Sequence, residues 1–585
     1  MMKKVLCYTM LLASFSLLQG CSSEEDSVAS ITEAQQTTAT ATAVNFDSDV
    51  DAFDVSLDTS AFTEQETIPA DDEDYVENTT FTKTVNIVFT ESGATWDGDV
   101  NDTDLTVTAT GAHVVVNSTV SDTVAYTVSG STSNGSLTVY SDRKFQLRLA
   151  GAQITNPSGA PINIQGKKRV FVVLADGTEN TIIDGTDYSS VKACLFSKGQ
   201  LIFSGSGRLN VYANNKAGIR STDYVVVRPH TNLYVVSTAG NGIKGDESLS
   251  IYGGVINVQV SANGAKGLSS DGHVRISGGR TTAIVTGSAV YDTDEADISG
   301  SSCVKADSTF TITGGVLYAK NTGKGGKGIS VDQQAYFQGG TVGVYTTGST
   351  YKYSSSLDSK AKGIKADGDI TISGGTLKVR TTGGDGAEGI ESKSTITISG
   401  GSVASLAYDD AINSSSHLYL KGGVTYVYST GNDGLDANGN VYVQGGNTVA
   451  YGSRSPECGI DANEEQNYTV YITGGNLFSI GGGNSTPGNS NSTQGYVTAS
   501  GNVSKGNVVA LYSGDNLLTS FSLPASYSNG SILFTANGMT AGNSYTLMLN
   551  GTGTSLTAQQ YGSSSMGGGG QMGGGPGLGS GFGRR

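Results

Sequence analysis

Residues 370–392 read ITISGGTLKVRTTGGDGAEGIES. Ile370 and Ile372 alternate with polar residues, a Gly-Gly pair follows, Leu377 and Val379 alternate again, and a polar turn delivers Gly389-Ile390. Alternation places the apolar residues on one face of each short strand, and glycine permits a corner with positive φ. Two such strands cannot bury that face alone. The pattern returns in LSIYGGVINVQVSANGAKGLSSD (249–271), FTITGGVLYAKNTGKGGKGISVD (310–332) and LYLKGGVTYVYSTGNDGLDANG (418–439).

The second glycines of the pairs stand at 254, 279, 315, 340, 375, 401, 423, 446 and 475. A period of 22–26 residues with ten-residue additions is what one coil of a stacked solenoid requires. Three strands and three corners complete a coil, each coil bonds to the next at ~4.8 Å, and equivalent apolar residues stack inside. A propeller blade needs about forty residues and does not fit. The expectation is an all-β protein, a right-handed parallel β-helix with a small C-terminal β unit. The 83 glycines and 8 prolines agree with many short strands and tight corners.

The boundaries follow from composition. Lys3 and Lys4 precede an apolar run ending in Leu18-Gln19-Gly20-Cys21, so 1–20 reads as a lipoprotein signal with Cys21 as the lipidated residue. Residues 21–80 are acidic and poor in large apolar residues and predict a disordered tether. The β-helix is placed at 81–495, the small C-terminal β unit at 496–561, and a disordered Gly-rich tail at 562–585. Cys194, Cys303 and Cys458 have neither disulfide nor zinc spacing. A formal charge of −17 argues against a nucleic-acid partner.

Equivalent positions of successive coils form columns. The residue after Gly-Ile/Leu runs Arg220, Lys244, Ser269, Lys305, Ser330, Lys365, Glu391, Asn413, Asp436, Asp461. Three residues earlier the column runs through Lys266, Ser302, Lys327, Lys362, Glu388, Asp410 and Asp433. Both change from basic to acidic at the same coil. Like charges one rung apart repel, so Glu388, Glu391, Asp409, Asp410, Asp433, Asp436 and Asp461 read as an oxygen-rich calcium site. The alternative is that these side chains serve turn backbones. Asp292, Asp294, Glu295 and Asp297 form a second cluster, a metal site or a solvated loop. Lys305, Lys327, Lys362 and Lys365 make a basic strip suited to a carboxylated polymer, or a solvated face. Tyr345, Arg380, Tyr428 and Tyr451 stand five residues past Gly-Gly pairs, in a column that also holds Lys320 and Leu406; its tyrosines are outward plates that suit sugar rings and are also common in strands without a ligand.

With the Gly363–Asp367 corner, the Ile-Ser-Gly-Gly strands and LADGTENTIIDG (174–185) in view, residues 145–560 resemble the bacterial carbohydrate-binding parallel β-helix proteins of clostridial type, similar in fold to pectate lyases. The resemblance implies bound calcium and binding of acidic polysaccharide such as polygalacturonate, and of cellulose. The expected function is that of a monomeric, cell-surface lipoprotein on the outer membrane that holds polysaccharide and has no assigned catalytic residue. A calcium-dependent lyase on uronate polymers and a structural adhesin or stalk are the alternatives.

Overall fold

The computed structural model describes residues 43–60, 62–488 and 491–559. The signal segment, Cys21 and the Gly-rich tail lie outside them. The chain winds into a parallel β-solenoid of about fifteen turns, built on a 15-stranded sheet and a 27-stranded sheet that bends through two further strand positions of each coil.

The core is a set of stacked columns. Ile219, Ile243, Leu268, Val304, Ile329, Ile364, Ile390, Ile412, Leu435 and Ile460 are each paired with the next across the 15-stranded sheet. All ten are fully buried, and each such side chain contributes roughly 1.5–3 kcal/mol by leaving water. The Gly-Gly corners hold the coils in register. Gly375 has φ +77°, and a Cβ there would lie 2.6 Å from the Gly340 carbonyl oxygen one coil below. Glycine is needed for both the conformation and the approach.

Both ends are closed by antiparallel structure, which removes the open edges of a stack. At the N-terminal end, Lys83–Thr90 pairs with Gly93–Gly98, and Leu105–Thr110 with Ala112–Ser118, in antiparallel hairpins. At the other end Tyr527–Thr535 runs antiparallel to the last coil strand, Val470–Gly481. A four-stranded antiparallel sheet follows within 496–559, where a small β unit was expected.

The described part of the acidic segment is not a free tether. Residues 43–80 hold little regular structure, yet they run as a strap along one face of the solenoid from its C-terminal to its N-terminal end. Val44 donates to the Ser520 carbonyl at 2.8 Å and Phe46 packs edge-on against Phe521 at 5.5 Å. Asp47 then pairs with Lys378 (2.7 Å), Asp54 with Lys320 (2.6 Å) and Asp58 with Arg280 (3.0 Å). Glu66 and Glu77 both hold Arg228 at 2.8 Å, while Glu73 and Asp74 hold Arg169 at 2.8 Å. Arg228 is 1% exposed and lies 4.1 Å from the Tyr75 ring centre. Composition suggested disorder because the strap lacks a core of its own; the solenoid's basic face supplies its partners.

Candidate functional site

The outward column of the 15-stranded sheet has the register expected for it. Arg220, Lys244, Ser269, Lys305, Ser330, Lys365, Glu391, Asn413, Asp436 and Asp461 are Cα partners in unbroken succession. The neighbouring column places Lys266, Ser302, Lys327 and Lys362 side by side in the same way. One face of the molecule therefore grades from cationic to anionic along the solenoid axis.

Most of its cations are neutralised locally. Lys244 pairs with Asp271 at 2.6 Å, Lys305 with Asp307 at 3.0 Å and also with Asp332, and Lys365 with Asp367 at 2.7 Å. At the change of sign, buried Lys362 binds buried Glu388 and lies 3.3 Å from Glu391. Glu391 also receives Lys393. Burial raises the Glu391 carboxyl, but Lys362 and Lys393 outweigh it and keep the group ionised. Glu388 and Glu391, expected among the calcium ligands, are thus committed to lysines. Around them lies a cavity of about 420 Å³ lined by Lys327, Lys360, Lys362, Lys365, Lys393 and four carboxylates.

Beyond this point the carboxylates find no cation among the described residues. Asp433, Asp436 and Asp461 bring one oxygen each within 4.8 Å of the others. Burial, then repulsion between neighbours, pushes Asp436 up to about 8; burial pushes Asp433 up to about 7 and Asp410 to about 6. Three crowded hard oxygen donors whose ionisation is suppressed fit a hard divalent cation, which would reverse the penalty. Asp409 and Asp410 stand aside. Asp409 accepts from the Gly386 N–H (2.5 Å) and from Asn432 (2.7 Å), and Asp410 from Asn413 (2.7 Å) and the Asp433 N–H (3.1 Å). Those two follow the turn-satisfying alternative, and Asp433 shares in it by accepting from the Cys458 N–H (2.5 Å), while Asp436 accepts from Asn413 (3.1 Å) and Asp461 from Ser485 Oγ (2.8 Å). Asp292 also follows it, accepting from the Asp294 and Glu295 amides.

The aromatic column does not join this face. Tyr345 and Arg380 lie on the 27-stranded sheet, where Tyr345 is held between Lys320 and Arg380 at 5.6 and 4.8 Å. The strap crosses them, and Arg380 donates to the Phe53 carbonyl at 3.1 Å. Tyr451 is fully buried and donates to the Ala525 carbonyl at 2.9 Å, with Tyr428 packed against it at 5.5 Å. These were expected as outward sugar platforms. The C-terminal unit docks on that face and turns Tyr451 into core.

Other aromatics escaped the reading. Tyr419, Tyr442 and Tyr471 stack at 4.6 and 5.2 Å on successive coils. Their equivalence is visible in LYLKGG, VYVQGG and VYITGG, so reading the column before each Gly-Gly pair would have found them. Tyr291 and Tyr353 stack at 3.8 Å from two separate insertions, which no periodicity announces.

Comparison with known proteins gives the chain its relatives. A solved structure, that of the polysaccharide lyase-like protein from C. thermocellum as a gadolinium derivative, aligns at 25% identity with a TM-score of 0.34, covering 44% of this chain and 96% of that one. A carbohydrate-binding domain-containing protein of Acetivibrio thermocellus is 34% identical over 107 residues, 17% of this chain; the chain spans 37% of that relative's length. The model of the carbohydrate-binding domain-containing family matches residues 101–350 and 301–434, more than half of the sequence, and the chain belongs to that family.

Proposed function

We propose that this protein is a surface lipoprotein that binds an acidic, polygalacturonate-like polysaccharide, with calcium at the anionic end of its charge-graded face. The observation that carries this is the pairing on one face of cations and carboxylates that lack mutual partners: Lys327 at one end, Asp433, Asp436 and Asp461 at the other. Calcium held by the three aspartates would supply positive charge to a sugar carboxylate, and the lysines supply it directly. Cys21 would carry the lipid that keeps the protein at the outer membrane.

Native electrophoresis of the protein with Cys21 replaced, in gels cast with polygalacturonate and either calcium or chelator, tests the reading. Retardation that requires calcium and is lost in Asp433→Asn with Asp436→Asn supports it. Equal mobility in all gels contradicts it and turns attention to cellulose.

A second reading, uronate lyase, draws on Lys327, which burial and the neighbouring Lys365 and Lys362 push down to about 8. An amine in that range can accept the proton α to a carboxylate. Release of ultraviolet-absorbing unsaturated ends from polygalacturonate would establish it.

A further inference from the structure

Within the two charged columns of the 15-stranded sheet, two lysines are unlike the others. Lys266 and Lys327 have no carboxylate within ion-pair distance among the described residues. The Lys266 ammonium donates to the Gly264 carbonyl (2.7 Å) and to Ser299 Oγ (3.1 Å). That of Lys327 donates to the Gly325 carbonyl (3.1 Å) and to Ser359 Oγ (2.5 Å). The construction is the same twice. Gly264 and Gly325 stand 61 residues apart, both with positive φ, each two residues before its lysine. Ser299 and Ser359 each end an inserted antiparallel hairpin, Val290–Asp292 with Asp297–Ser299, and Tyr351–Lys352 with Asp358–Ser359.

A third copy of the unit shows what happens without a hairpin. Another 61 residues on, Gly386-Ala387-Glu388 occupies the place of Gly-x-Lys, with no inserted hairpin beside it, and its Glu388 is bound by Lys362. The unpaired lysine thus occurs twice beside a hairpin's serine, and the copy without that serine carries a carboxylate that takes an ion pair. Holding an ammonium in a partly desolvated place with only neutral acceptors costs stability. An ammonium has three donors, and two are used in each nest.

The hairpins add the apolar part of a sugar site. Tyr291 and Tyr353 stack with their rings 3° from parallel, and the Tyr291 amide donates to Tyr351 Oη at 3.3 Å, which joins the hairpins into one wall. Tyr353 is still 53% exposed. It offers an aromatic face on the hairpin whose Asp358 and Ser359 line the cavity with Lys327, Asp297 and Ile298. Lys266 and Lys327 are two rungs apart, about 10 Å along the axis.

We infer that the two hairpins and the lysines they enclose form tandem subsites for the carboxylates of alternate uronate units, with Tyr353 beneath a sugar ring. This rests on the acidic-polysaccharide reading above and names the groups that recognise the polymer's charge.

The test uses the full mature chain with Cys21 replaced. Lys327→Met and Lys266→Met are compared with Lys305→Met, whose lysine already has Asp307 and Asp332. Affinity for polygalacturonate is expected to fall at least tenfold in each of the first two and less than threefold in the third. Methionine relieves a desolvated charge, so melting temperatures should hold or rise, which separates lost recognition from lost fold. Affinity within twofold of the parent in both nest variants, with the parent itself retarded, overturns the subsites and leaves the broader reading standing. If the parent is not retarded by the polymer at all, the broader reading fails. Where the parent is retarded, limiting reductive methylation gives a second readout: protection of Lys266 and Lys327 by trigalacturonate supports the subsites and equal labelling overturns them.

Discussion

The two outward faces of the solenoid carry similar residues and have opposite fates. On the 27-stranded sheet and at its strand ends, Lys378, Lys320, Arg280, Arg228 and Arg169 are all met by acids of the strap. On the 15-stranded sheet Lys266 and Lys327 have only neutral partners, and Asp433, Asp436 and Asp461 crowd together with neutral donors from Cys458, Asn413 and Ser485 and no cation among the described residues. Charge that the chain itself neutralises serves the fold. Charge that stays uncompensated is a standing cost, and a ligand is what would offset it.

That contrast can be attacked from both sides. The largest effect is expected at Arg228→Met, which strands Glu66 beside a buried site and frees Glu77. A loss of about 3 kcal/mol or more is expected from breaking so enclosed a pair. Limited proteolysis should then cut within 62–80 while the coils stay intact; an uncut strap with unchanged melting would mean the strap is held by other contacts.

An effect of opposite sign belongs to the acidic corner. Asp433 and Asp436 titrate at about 7 and about 8 in the fold, against 3.8 ordinarily. The folded state therefore binds more protons than the unfolded chain between roughly pH 4 and 8, so without metal its stability falls as pH rises through that window. Asp433→Asn with Asp436→Asn should flatten this slope and raise the melting temperature in chelator at pH 8, by about 3 °C or more. Calcium should raise the parent's melting temperature and leave the double variant's unchanged. A parent with a flat profile would show that the aspartates ionise freely.

The smallest effect is expected at the strap's rim. Asp54 is 60% exposed beside Lys320, and exposed pairs contribute about 0–1 kcal/mol. Asp54→Asn should shift thermal melting by less than about 1 °C, and added salt should erase the difference.

What could be read in advance follows the same division. The coil repeat, its corner glycines and the register from Arg220 to Asp461 are local in sequence and periodic, so they were legible. The change of sign at Glu388 was legible too, as a property of columns. The partners of that change were not: Lys362 reaches Glu388 and Glu391 across one coil, and no spacing rule separates an ion pair from a metal ligand there. The strap was illegible because its contacts span 162 residues to Arg228 and 266 to Lys320, with no repeat to carry the signal. Tyr451 was misread for a related reason, since its cover comes from Ala525 in another unit.

The strap also has a mechanical meaning. It begins at the C-terminal end of the stack, on Ser520, and finishes at the N-terminal end, on Arg169. Tension applied to the chain ahead of Val44 and directed along the axis meets the ion pairs of Asp47, Asp54, Asp58 and Glu66 in shear, all loaded together. Tension applied at a right angle peels them one at a time, beginning with the Val44–Ser520 bond. The same strap is therefore stiffer under an axial pull than under a lateral one.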